Sequence, residues 1–230
     1  MVINGKDISE FGGKVIDKLI SPNKVNNFLN WDTVNPQLTE SKFDFKNITF
    51  TVFMRAESEQ EYISNSSRLT EMLRLGAEVK FNDIPYTYKC YVRTIPDITR
   101  LNHKQEYKLI FECEAEFGTT GSTTVTTASN TTSMNLTNIG NYSTPARVVL
   151  TARETGANLY INGLVKNFTF TNVKSGDIIV VDGVTGEVLR NGSVDINNFY
   201  GWNLPMLPVG DTLIKTNLKC DIEISYLARY

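Results

Sequence analysis

From Arg147 to Leu227 the chain is a succession of short apolar segments cut by turn dipeptides. Val148, Val149 and Leu150 form one segment. Phe168 and Phe170 alternate with Thr169 and Thr171. Ile178–Val181 is a continuous apolar run, and Ile222, Ile224 and Tyr226 stand against Glu223 and Ser225. Between them lie Asn162-Gly163, Asp182-Gly183 and Asn191-Gly192, each suited to a tight hairpin because both central residues accept positive φ. Strands this short, each with one apolar face and no helical period, read as an antiparallel β-sandwich.

The stretch before this region cannot build a core. Residues 118–134 are almost entirely Thr, Ser, Gly, Ala and Asn, a low-complexity composition with little apolar surface to bury. It marks a domain boundary. Because Thr is β-branched, the spacing predicts an extended linker rather than a collapsed one. The expected organisation is therefore an N-terminal domain over 1–118, a Thr/Ser-rich linker over 119–133 and a C-terminal domain over 134–230. A chain of 230 residues is long enough for two small domains.

The N-terminal part also reads as mainly β. Ile48, Phe50, Val52 and Met54 alternate with Thr49, Thr51 and Phe53, which predicts a strand with one apolar face. Ser58 and Glu61 make a capping box, apolar residues follow at helical spacing, and Gly76 stops them, so one helix is expected near 59–75. Two strands come next. Tyr86, Tyr88, Cys90 and Val92 share a face of the first. Tyr107, Leu109, Phe111, Cys113 and Ala115 share a face of the second, with Glu112, Glu114 and Glu116 opposite. Residues 1–40 are irregular, with Gly12-Gly13, Ser21-Pro22-Asn23 and Asn35-Pro36 breaking short apolar runs into two short strands and extended connections. Phe28 and Trp31 lie here as anchors, either of the domain's own core, the plainer reading, or of a neighbouring subunit.

No motif carries chemistry. There is no Gly-x-Ser-x-Gly, His-Glu-x-x-His or P-loop, and the single histidine, His103, stands in a polar stretch without an acid or nucleophile arranged beside it. Glu112, Glu114 and Glu116 read as a solvated acidic face that gives its surface a negative field. Asp177, Asp182, Asp195 and Asp211 fall near turns, without the spacing of a calcium loop. Cys90, Cys113 and Cys220 are too widely spaced for a metal pair and read as free, buried thiols of a protein made in a reducing compartment. No metal or cofactor is expected. Met1–Asp7 has neither a basic nor an apolar leader pattern, so no signal peptide is expected. Without one, triplets such as Asn47-Ile48-Thr49 are by-products of composition. No apolar run reaches a membrane span. A net charge of −2 and a pI near 5.6 argue against a nucleic-acid-binding surface. Phe199, Tyr200 and Trp202 cluster before Asn203-Leu204-Pro205 and either stack on a ligand such as a sugar or fill the sandwich core or anchor the loop there.

Taken in order, the C-terminal motifs resemble the galectin-like domain of the distal tail (Dit) proteins of long-tailed bacteriophages. The resemblance rests on Asn138–Ala146 ending in Thr144-Pro145, the Ile161-Asn162-Gly163 turn, the Gly176–Asp182 strand, and the loop Pro205, Leu207-Pro208 and Gly210. The N-terminal part is similar to the family's ring domain in its order of strand, single helix and a strand ending Ile110–Cys113. Ala115-Glu116 and Asp211 depart from residues common in the family. The resemblance implies a structural protein, not an enzyme. Its 1–118 domain would form a ring, typically of six subunits, with the C-terminal domains outside as a collar. The ring would join the tail tube protein to the tail-associated fibre or lysin protein at the virion tail tip, and its lumen would pass DNA without sequence-specific binding and without a membrane partner. A slightly acidic ring would let DNA slide, since a basic lumen would hold phosphates. The rival reading is a carbohydrate-binding adhesin module that takes host cell-wall glycan at the Phe199–Trp202 loop.

Overall fold

The computed structural model describes residues 1–30, 37–94, 96–102, 105–201 and 204–230. The protein is mainly β, with a single α-helix among the described residues, as the sequence pattern predicts. Met1–Gly118 and Thr119–Tyr230 are two compact units, each with a core of its own.

The first unit comprises β1 (Val2–Ile3), β2 (Lys6–Asp7), β3 (Gly13–Ile20), β4 (Val25–Asn30), β5 (Gln37–Phe43), β6 (Lys46–Arg55), α1 (Glu59–Arg74), β7 (Ala77–Lys80), β8 (Thr87–Val92), β9 (Asp97–Asn102) and β10 (Glu106–Ala115). Eight of these strands make an antiparallel sheet in the order β2-β1-β7-β8-β10-β6-β3, with β9 on β10; β4 and β5 form a separate hairpin. The alternation in β6 and β10 puts Ile48, Phe50, Val52 and Met54 on the same buried face as Tyr107, Leu109, Phe111 and Cys113. Phe50 and Phe111 stack at 5.2 Å, and Phe81 meets Phe50 edge-on at 6.0 Å. Each fully buried side chain of this size stabilises the fold by about 1.5–3 kcal/mol.

Helix α1 covers this face. Tyr62, Leu69 and Leu73 join the same core, and Tyr62 stacks on Tyr107 with centroids 3.6 Å apart. The Ser58 hydroxyl accepts from the Glu61 N–H at 3.1 Å. The Glu61 carboxylate reaches back to the N–H of Glu57, one residue earlier than a capping box places it. Past the last turn, Gly76 takes φ +88°, and a Cβ there would meet the Tyr91 ring at 2.5 Å. The irregular pattern of residues 13–20 has a physical cause. The β3–β6 register shifts between Val15 and Asp17, so Ile16 is an extra residue in a bulge and the in-out alternation changes phase there.

The second unit comprises β11 (Thr124–Asn138), β12 (Thr144–Ala152), β13 (Gly156–Asn162), β14 (Phe168–Val173), β15 (Ile178–Asp182), β16 (Val188–Arg190), β17 (Ser193–Val194), β18 (Phe199–Tyr200), β19 (Met206–Leu207) and β20 (Gly210–Tyr226). The stretch expected as a linker is therefore corrected. Most of 119–133 lies in β11, which pairs with β20 from Thr124↔Tyr226 to Asn138↔Gly210. The β-branched threonines favour extension as expected, and the apolar face they lack is supplied by β20.

The long strand β20 organises the sandwich. Its C-terminal half pairs with β12, which continues to β15, β16 and β17. Its N-terminal half pairs with β13, which continues to β14 and β18. Through both halves β11 lines the opposite side of β20. One bent ribbon thus serves two layers, and Ile214, Thr216, Cys220, Ile222, Ile224 and Tyr226 all face inward. Of the three turn dipeptides, only Asn191-Gly192 makes a two-residue hairpin, with φ +50° and +80° between the Arg190↔Ser193 pair. Asp182-Gly183 opens a longer loop because the Asp182 carboxylate accepts the N–H groups of Val184 at 2.7 Å and Thr185 at 3.1 Å. The connection after Asn162-Gly163 is longer too, running from Asn162 to Phe168.

Candidate assembly surfaces

Glu112 and Glu114 of β10 lie on the sheet face opposite its buried row, the first exposed and the second half-buried, and Glu116, just past the strand, is exposed. Glu112 stands opposite Thr49, and Glu114 opposite Asn47 and Tyr91. Glu116 accepts from the Tyr91 hydroxyl at 3.1 Å and lies 3.7 Å from the Lys89 ammonium. Glu116 is therefore held by its neighbours across the sheet.

Phe28 sits in the β4–β5 hairpin and is 50 % exposed, with Val25 of the same strand equally exposed. Among the described residues this hairpin pairs only with itself. Its base is fixed: Asn23 Nδ2 donates to the Asp44 carbonyl at 2.8 Å, Asp44 N donates to the Lys24 carbonyl at 2.8 Å, and the Ser21 hydroxyl donates to the Asn47 carbonyl at 2.8 Å. Phe45, just past the hairpin, meets Tyr91 edge-on at 6.3 Å. Trp31, the second expected anchor, lies outside the described residues, as do His103 and Trp202.

In the second unit the two aromatics of β18 divide their roles. Phe199 packs on Phe168 at 5.5 Å and Phe170 at 6.1 Å, at the margin of the core. Tyr200 is 62 % exposed. Both line a cleft of about 650 Å³ with Gly186, Val188, Ile196, Gly201 and Leu204. Its described lining is apolar apart from the Tyr200 phenol and the backbone.

Sequence reasoning missed the residue that ties the two layers together. Arg190 ends β16 in one layer and donates to the backbone carbonyls of β14 in the other, to Thr171 at 2.6 Å and Asn172 at 2.9 Å. Its guanidinium lies 4.9 Å from the Phe170 ring centroid, 3.0 Å from the Asp195 carboxylate and 3.9 Å from that of Asp177. Burial works to raise the pKa of Asp177, but hydrogen bonds from Lys174 N and Asn191 Nδ2, with the Arg190 charge, hold it below its ordinary value. Asp195 also accepts from Asn198 Nδ2 at 2.8 Å. The only signal in the sequence was an arginine in an otherwise apolar strand.

Cys90, Cys113 and Cys220 are free and buried. Burial pushes the Cys113 thiol up to about 12 and Cys220 to about 11, and raises Cys90 as well. Thiols so rarely ionised are weak nucleophiles and weak metal ligands. Among the described residues no three His, Cys, Asp or Glu side chains converge on a metal-sized site, and no helix is long and apolar enough to cross a membrane.

A β-sheet unit capped by one helix, followed by a two-layer sandwich, is a fold shared with a solved phage protein. One solved structure that matches throughout is the Dit protein of phage SPP1, described as a paradigm of the hub adsorption apparatus in phages infecting Gram-positive bacteria. The match has a TM-score of 0.72 and covers 100 % of this chain and 98 % of that one, at 13 % sequence identity. Two structures of the phage P2 baseplate in its activated conformation, with Ca and with Sr, align at a TM-score of 0.44 and 7 % identity over 97 % of this chain and 93 % of theirs. No protein-family model and no curated protein matches the chain by sequence.

Proposed function

We propose that this chain is a structural hub protein at the tip of a phage tail, with no enzymatic step of its own. The observation that carries this reading is the end-to-end correspondence of both units, in one order, with the SPP1 Dit hub. In this reading Met1–Gly118 forms a ring, typically of six subunits, that joins the tail tube protein to the tail-associated fibre or lysin protein. Its lumen passes DNA, and the second unit is a docking platform outside the ring. The exposed Phe28 of the β4–β5 hairpin supports assembly through the first unit, because a buried aromatic at an interface centre contributes about 2 kcal/mol or more. Heterologous contacts of this kind close into a ring when the rotation per subunit closes. The sugar-binding reading has less support, since the described lining of the Tyr200 cleft offers one side-chain hydroxyl where a glycan needs several polar partners.

The test is negative-stain microscopy and sedimentation of the full chain, alone and with a tail tube protein. Rings with an open centre are expected, and a 1–118 fragment should retain them. Rings formed by the second unit alone, with 1–118 monomeric even beside the tube protein, would refute this division of roles. Glycan binding abolished by Tyr200→Ala would favour the adhesin reading instead.

A further inference from the structure

Sheet edges in natural proteins are blunted, because a row of free N–H and C=O groups pairs with any strand that meets it. The edges of the two large sheets follow this rule, with one exception. β2, β17 and β18 are two residues long. β3 carries Lys14, Asp17, Lys18 and the Ile16 bulge; β9 carries Asp97 and Arg100. β11 is fifteen residues long and contains neither charge nor proline. No charged residue occurs anywhere between Glu116 and Arg147. Among the described residues no strand pairs with the side of β11 away from β20.

Bulges between Ala128 and Thr131 and between Thr131 and Ser133 divide this edge into two regular runs. In the first run, Thr124, Thr126 and Ala128 face inward yet are only half-buried, whereas their cross-strand partners Tyr226, Ile224 and Ile222 are buried. The core is open along this run, and an added strand would close it. Val125, 56 % exposed, and Thr127 point the other way.

We infer that Thr124–Ala128 is a self-pairing edge, at which the second units of two copies of this chain join antiparallel about a two-fold axis at Thr126. The run is complementary to itself. Thr124 of one copy meets Ala128 of the other, so half-buried positions cover half-buried positions. Val125 meets Thr127 on the outer face, where β-branched cross-strand pairs stabilise a sheet. An uncharged strand meets its own copy without like-charge repulsion, and an isologous contact needs only this one surface. The contact is independent of any ring contact made by the first unit, and it doubles whatever particle that unit builds.

Two full-length double variants test it: Val125→Lys with Thr127→Lys, and Val125→Glu with Thr127→Glu. In the proposed register each places like charges directly opposite, twice per contact. Mass is read by sedimentation equilibrium, with circular dichroism and a urea midpoint showing that each variant retains its fold. The wild type should have twice the mass of either variant, and mixing the two variants should restore the doubled mass. Equal masses for the wild type and both variants would overturn the proposal. So would halving in both variants without recovery on mixing, because the edge would then face a different surface.

Discussion

Removing the Arg190 guanidinium should loosen the second unit substantially. Its side chain is 17 % exposed, and the Asp177 and Asp195 side chains are 12 % and 17 % exposed, so the group is largely out of water. Arg190→Ala deletes two charge-assisted hydrogen bonds to the Thr171 and Asn172 carbonyls, each worth about 1.5–3 kcal/mol. It also leaves two carboxylates short of their countercharge, and breaking a buried pair costs about 3–5 kcal/mol in all. Asp177 keeps Lys174 N and Asn191, and Asp195 keeps Asn198, which places the expected loss near the lower end, about 3 kcal/mol. For a unit of this size that lowers Tm by roughly 10–20 °C. Arg190→Lys keeps the charge but not the planar fork and should lose about half as much, roughly 1.5 kcal/mol. The assay is urea and thermal unfolding of the full chain, followed by a probe of the second unit. The pH dependence adds a sign. Asp177 has a folded pKa below its ordinary 3.8, so its contribution is present above that value and is lost as pH falls through the folded pKa. Arg190 is one cause of that depression, so the gap between wild type and Arg190→Ala should narrow in acid. A variant within about 0.5 kcal/mol of wild type at neutral pH, the range of an ordinary surface substitution, would refute the clasp reasoning.

Three further outcomes are expected. A fragment of residues 119–230 should fold alone, with dispersed proton NMR signals. A fragment of 134–230, which lacks the β11 run paired to Tyr226, Ile224 and Ile222, should be poorly dispersed, and equal dispersion of the two would put the boundary back at 134. Leu159→Asp should unfold the 119–230 fragment, because Leu159 is buried and an unpaired carboxylate there costs an energy comparable to a small domain's whole stability of about 5–15 kcal/mol; a folded circular dichroism spectrum would contradict this. Alkylation of the native chain by iodoacetamide at mildly basic pH should leave all three cysteines unmodified until denaturant is added, since burial and raised pKa values keep them protonated and covered. Mass spectrometry counts the adducts, and native labelling at Cys113 would show the core to be more open than described.

What the sequence determined by itself is what depends on one segment's own periodicity. The in-out alternation of β6 and β10, the Ser58 cap, the Gly76 stop and the Asn191-Gly192 hairpin are local matters, decided by side-chain spacing and permitted φ within a few residues. Tertiary structure alone decided what depends on a partner far along the chain. Residues 119–133 look like linker because they carry almost no apolar surface, yet most of them are strand because β20, about ninety residues later, supplies the inward face. The Ile16 bulge is set by its register against β6 and makes β3 look irregular when read alone. Arg190 went unremarked in the sequence, and its role exists only because folding brings β16 of one layer against the carbonyls of β14 in the other. Periodicity reports which face of a segment avoids water. It does not report which other segment covers that face or which edge is left open, and in an antiparallel sandwich those long-range choices locate both the clasp and the open edge.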